Sequence, residues 1–194
     1  MEFKEFLSSL AIALTFIAFY PYIRSILQNK TKPHMFSWII WGSVTFVVFL
    51  AQLADKGGAG AWPIGVSGII TIYVAFLAWL KKSDSSITGL DWFFLLLAMP
   101  SLPLWYLTSD PLWAVVILTF VDILGFGPTL RKAWFQPFEE TLVFYLIIIL
   151  RNLVSITALA HTSLTTVLFP AMTALGCALL IIMVLYRRNI VSAR

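Results

Sequence analysis

Seven apolar runs, each about as long as a bilayer crossing, leave this chain few folds to choose from. They span residues of about 6–28, 35–54, 62–80, 91–107, 112–133, 139–160 and 166–186. A helix needs roughly 17–25 residues to cross hydrocarbon. In lipid every backbone N–H and C=O must be bonded within the protein, so spanning segments are helices or closed barrels. A barrel needs alternating segments of about ten residues, and these runs do not alternate. The expected fold is therefore an all-α membrane protein with seven transmembrane helices. Met99-Pro100-Ser101-Leu102-Pro103 places two prolines inside the fourth run, which predicts a kink there.

Charge supports the same solvent. Only 11% of the 194 residues are charged, against about a quarter in an ordinary soluble domain. Eight Trp and 16 Phe suit interfacial aromatic belts. The net charge of +4 comes from short basic clusters at the ends of apolar runs, not from a nucleic-acid-binding patch. A single cysteine, Cys177, excludes an internal disulfide and a multi-thiolate metal site. Met1-Glu2-Phe3-Lys4-Glu5 is not a basic leader, and the first run reads as a retained span.

The turns divide by charge. Arg24, Lys30, Lys32, Lys81, Lys82, Arg131, Lys132, Arg187, Arg188 and Arg194 fall on one side, and Lys4 and Lys56 on the other. The positive-inside rule then predicts an outside N-terminus and a cytoplasmic C-terminus. For a bacterial source the membrane would be the cytoplasmic (inner) membrane.

Spacing predicts an internal repeat. Pro21 and Pro128 are 107 residues apart, as are Arg24 and Arg131, and Pro63 and Pro170. Pro33 and Pro137, 104 apart, both read as opening the second helix of a unit. The division is a three-helix unit over 1–83, a linker helix over 84–110, and a second three-helix unit over 111–194. One linker helix makes the units enter in the same sense, as two parallel repeats related by an axis along the membrane normal.

The first unit reads Phe19-Tyr20-Pro21-Tyr22-Ile23-Arg24, then Lys30-Thr31-Lys32-Pro33-His34-Met35-Phe36-Ser37. The second reads Gly127-Pro128-Thr129-Leu130-Arg131-Lys132, then Pro137-Phe138-Glu139-Glu140. In these motifs and in its three-plus-one-plus-three layout the chain resembles the PQ-loop superfamily, which includes the SWEET sugar transporters, cystinosin-type exporters and the KDEL receptor. The resemblance implies a carrier working by alternating access, or a ligand-binding receptor or sorting protein on the same scaffold. The glutamine of the motif is replaced by Tyr22 and Thr129, and Gly68 and Leu175 stand where sugar carriers place an asparagine. A neutral sugar is therefore a poor expectation.

Asp122 lies midway along the fifth run, where a charged carboxylate is costly. It reads either as a structural hydrogen-bonding group or as a proton acceptor and solute ligand. An aspartate ahead of the motif proline also occurs in cystinosin-like members, and that resemblance implies a proton-coupling role. Arg151, with Asn152 beside it, is as deep in the sixth run. Antiparallel neighbours would let Asp122 and Arg151 meet as an intramembrane ion pair, either static or opened by solute. Pro21 and Pro128, the latter softened by Gly125 and Gly127, read as hinges. Trp41 and Tyr145, each eight residues after Pro33 or Pro137, read as walls of a central pocket.

His34 and His161 fall on opposite sides and cannot share a metal, and no metal, cofactor or phosphate-loop motif is present. No serine has an evident catalytic partner, so the chain does not read as an enzyme. The expected partners are the lipid bilayer, a small-molecule solute and protons, with an oligomer allowed and no nucleic acid. The function expected is transport of a small polar or charged metabolite. A third reading is a scaffold subunit without a ligand.

Overall fold

The computed structural model describes residues 2–29, 35–81, 89–135, 137–140 and 142–192. Met1, Lys30, Thr31, Lys32, Pro33, His34, Lys82 and Arg194 of the sequence argument lie outside them. The described residues are all-helical, with no strand. The helices are α1 (Glu2–Leu27), α2 (Met35–Ala54), α3 (Trp62–Leu80), α4 (Gly89–Ala98), α5 (Ser101–Thr108), α6 (Pro111–Phe135), α7 (Leu142–Ala158) and α8 (Leu164–Ser192). Short 3-10 turns, Gly58–Ala61 and Pro137–Glu139, precede α3 and α7.

Four segments, Glu2–Leu27, Met35–Ala54, Gly58–Leu80 and Leu164–Val191, are long and apolar enough to cross a membrane. Trp92–Thr108, the Pro111–Phe126 part of α6, and Leu142–Ala158 are shorter apolar helical stretches. Large apolar side chains also cover the outside: Phe120, Leu146, Leu179 and Ile182 are all exposed. A soluble monomer rarely shows so continuous an apolar surface. These features mark a membrane-embedded protein.

Helix ends follow local chemistry. Asp110 caps α6, its Oδ1 accepting from the Leu112 N–H at 2.9 Å, with Pro111 in the first helical position. Ser163 caps α8 reciprocally: its Oγ accepts from the Thr166 N–H at 3.2 Å, and Thr166 Oγ1 accepts from the Ser163 N–H at 2.9 Å. The end of α2 is a Schellman motif. Lys56 is left-handed at φ 59°, the Gly57 N–H reaches the Gln52 carbonyl at 2.7 Å, and the Lys56 N–H reaches the Leu53 carbonyl at 3.1 Å.

Three local expectations are revised. The predicted kink in the fourth run is a full break, with a turn at Met99-Pro100 between α4 and α5. Pro137 opens a 3-10 turn rather than a helix; α7 starts at Leu142. Pro63 lies in the first turn of α3, but Pro170 lies inside α8, because the Ser163 cap starts that helix earlier.

Pro170, inside α8, frees a carbonyl that finds its partner on another helix. An internal proline cannot donate to the carbonyl four residues before it. For Pro170 that carbonyl is Thr166, which accepts from Gln52 Nε2 of α2 at 2.6 Å. Ahead of Pro63, in the first turn of α3, the Ala59 carbonyl accepts from the Trp62 N–H and also from Ser8 Oγ of α1 at 2.7 Å. In lipid such freed groups are re-satisfied by polar side chains of neighbouring helices.

Helix neighbours follow a regular pattern. α3 packs against both α1 and α2, and α8 against both α6 and α7. α1 also packs on α7, α2 on α6, and α4 and α5 both rest on α6. Small residues set the closest approaches: a Cβ on Gly68 would meet the backbone nitrogen of Phe46 at 3.1 Å. Gly68 is thus a helix-contact residue between α3 and α2.

Candidate functional site

Most of the buried polar side chains are hydroxyls; atoms without a partner occur on Gln52 and Thr119 and, two on each residue, on Arg151 and Asn152. α7 turns Arg151, Asn152 and Ser155 inward along with Ile148. Arg151 is 4% exposed and Asn152 fully buried. Ser155 is satisfied, donating to the Gly60 carbonyl at 2.7 Å. Arg151 and Asn152 are not. Nε and Nη1 of the guanidinium, and both Oδ1 and Nδ2 of the amide, have no hydrogen-bond partner.

Asp122 faces this region from α6 and lies within electrostatic range of Arg151. The two do not form the closed ion pair expected from the sequence: among the described residues no salt bridge joins them. The nearest partner of Asp122 is Thr173 of α8, whose Oγ1 is 3.3 Å from Oδ2. The same hydroxyl lies 2.9 Å from the Phe169 carbonyl. Having one hydrogen, it serves one acceptor at a time, and the helical carbonyl is the closer. Asp122 is therefore held loosely, close to a cation it does not touch.

One turn beyond Thr173 on α8, Cys177 is buried within electrostatic range of both Asp122 and Arg151. It packs with Ala18 of α1 and Ile148 of α7. Thr173 and Cys177 are site residues that the sequence reading passed over. Their signal is a polar pair spaced i, i+4 after Pro170 in an otherwise apolar helix.

The two expected wall residues occupy different places. Trp41 of α2 lies against α6: a Cβ on Gly125 would stand 3.0 Å from its indole nitrogen. Gly125 follows Asp122 by three residues, so Trp41 approaches the acid's face of α6 from the α2 side. Its ring is edge-on to Trp38 at 5.9 Å, and Trp38 stacks on Tyr22 at 5.0 Å. Tyr145 packs instead between α7 and α8 near Cys177, with its hydroxyl donating to Glu140 Oε2 at 2.7 Å. Among the described residues no ring contact links Trp41 to Tyr145.

The expected hinges are continuous in backbone. α1 runs through Pro21, and α6 runs through Gly125, Gly127 and Pro128. Gly125 has an additional role, because only a residue without a side chain lets Trp41 approach so closely.

A second polar cluster sits where α2 and α7 end and α8 begins. Ser163 Oγ donates to Asp55 Oδ2. His161 Nδ1 lies 3.1 Å from the Asp55 carbonyl oxygen and 3.6 Å from Oδ2. The Ala160 N–H donates to the Gly57 carbonyl at 2.8 Å, and Lys4 Nζ donates to the Leu159 carbonyl at 2.7 Å. Ser163 thus has a carboxylate partner, and the same hydroxyl is engaged as a helix cap. No group of three metal-ligating side chains occurs among the described residues.

Comparison with protein-family models, curated proteins and solved structures returns no match.

Proposed function

We propose that this protein is a membrane carrier that moves a small polar or charged metabolite by alternating access, with proton coupling at Asp122. The observation that carries the proposal is Arg151. It is buried among apolar helices with two guanidinium nitrogens unpartnered and an acid nearby. A buried charge without its partner costs ~3–5 kcal/mol, and in membrane helices such residues mark solute or proton pathways. A purely structural role would favour a closed pair.

Helix packing supports a two-unit architecture of seven spans, with α4 and α5 together as the linker. In each trio the third helix lies between the first two, as α3 does and as α8 does. The trios meet through α1 on α7 and α2 on α6, which are the same pair of contacts exchanged by a two-fold axis. This is the arrangement that the PQ-loop resemblance implies. The cross-trio hydrogen bonds of Gln52, Asp55, Gly57, Gly60 and Lys4 gather at the N-terminal end of α1. A carrier closed at that end would present such bonds. The charge bias supports an outside position for that end.

Counterflow in proteoliposomes with a radiolabelled metabolite panel tests the proposal. Exchange of at least one solute, lost in Arg151→Gln, is expected. Saturable binding without exchange would replace the carrier by a receptor.

A further inference from the structure

We infer that the Arg151–Asn152 step of α7 is a carboxylate subsite, and that the solute is a small organic acid bearing a hydrogen-bond donor on its α-carbon. This deepens the carrier reading and rests on it. The unpartnered atoms define the ligand. Arg151 offers N–H donors at Nε and Nη1, Asn152 offers a donor at Nδ2, and Asn152 Oδ1 needs a donor in return. A carboxylate accepts from guanidinium and amide nitrogens alike. It cannot serve Oδ1, which calls for an adjacent hydroxyl or ammonium. Both residues are at least nine-tenths buried, so bulk water does not serve these atoms.

The surroundings bear on polarity and charge. Ala18, Ile148 and Cys177 pack as an apolar cluster on the inner faces of α1, α7 and α8, which suits an apolar substituent. Arg151 and Asp122 together are neutral. An α-amino acid keeps the site neutral, its carboxylate on Arg151 and its ammonium turned to Asn152 and Asp122. An α-hydroxy acid adds one negative charge, which one proton carried on Asp122 offsets. The shared chemistry is the carboxylate with its α-donor, and proton dependence separates the two sources.

The test uses the full chain in nanodiscs, with thermal shift and calorimetry for L-lactate, L-alanine, propionate, lactamide and D-glucose. Lactate or alanine should bind, propionate at least tenfold more weakly, and lactamide and glucose not at all. Arg151→Lys keeps the charge but loses the planar donor set and should weaken binding at least tenfold. Asn152→Val should bind propionate and lactate equally. Circular dichroism and monodisperse elution establish that each variant is folded, and Asn152→Val carries the test if Arg151→Lys does not fold. Binding of lactamide or glucose as tight as that of the acids, or lactate binding unchanged in the folded variants, would overturn the inference. In counterflow, exchange of a neutral solute but of no acid sinks this subsite and leaves the carrier standing. Acid binding without exchange of any solute keeps the subsite and sinks the carrier.

Discussion

The side-chain amide of Gln52, on α2, donates at 2.6 Å to the backbone carbonyl of Thr166, on α8, which Pro170 leaves without its helical partner. Both residues are completely buried. One side chain therefore offsets a helix defect and ties two helices together. Gln52→Leu should lower stability by about 1–3 kcal/mol, the cost of an unsatisfied buried acceptor. Pro170→Ala restores an N–H to serve Thr166, so Gln52→Leu/Pro170→Ala should melt higher than Gln52→Leu alone. Thermal unfolding of the four proteins in one detergent gives the cycle. Additive effects would show that the two residues do not share the carbonyl.

Gly125 and Trp41 form a second coupled pair. Gly125→Ala places a methyl group 3.0 Å from the indole nitrogen, and overpacking of this kind costs about 1–3 kcal/mol. If Gly125 matters as a contact, Trp41→Phe should recover most of the stability lost by Gly125→Ala. If it matters as a hinge, the smaller ring should recover nothing. Melting temperature and exchange rate, measured on the same four proteins, distinguish the two.

At the N-terminal end of α1, Asp55 holds Ser163 and faces His161. Asp55→Ala removes a charge-assisted bond of ~1.5–3 kcal/mol. That end should then open roughly tenfold more often or better. In a Cys177→Ser background, Thr165→Cys introduces a thiol at a buried position. A membrane-impermeant maleimide should label it slowly, and at least tenfold faster once Asp55→Ala is added. Equal rates would show that Asp55 does not keep this end shut.

Proton coupling has a separate readout. Asp122→Asn keeps the size and the contact with Thr173 but cannot exchange a proton. Uptake driven by a pH gradient, with the source side acidic, should vanish, while counterflow at equal pH persists. The sign follows from the chemistry: the acidic side loads the carboxylate, and the alkaline side unloads it. Gradient-driven accumulation undiminished in Asp122→Asn would remove the acid from the coupling step.

Much of the helical layout could be read ahead because lipid imposes it on length and composition. The apolar runs locate the helices, and Asp110-Pro111 is a local start signal. The site was legible only in its extremes. Asp122 and Arg151 stand out because any charge does in such a sequence. The gap between them did not, because it depends on how α6, α7 and α8 are spaced. Gln52 was invisible for the same reason: which carbonyl needs a donor is local, but which helix supplies it is tertiary. Equal distance from a proline says nothing of contact between Trp41 and Tyr145, since the 3-10 turn at Pro137 delays the start of α7 to Leu142.

Gly60 meets Leu159 through main chain, with no room for even a Cβ between them. No rotamer is available there to absorb a misfit, so the spacing at that point works like a machined tolerance. α3 continues for 19 residues from this contact, a rod of about 28 Å. A single added carbon at residue 60 would have to displace main chain, and α3, held along its length by α1 and α2, would have to shift with it or carry the strain.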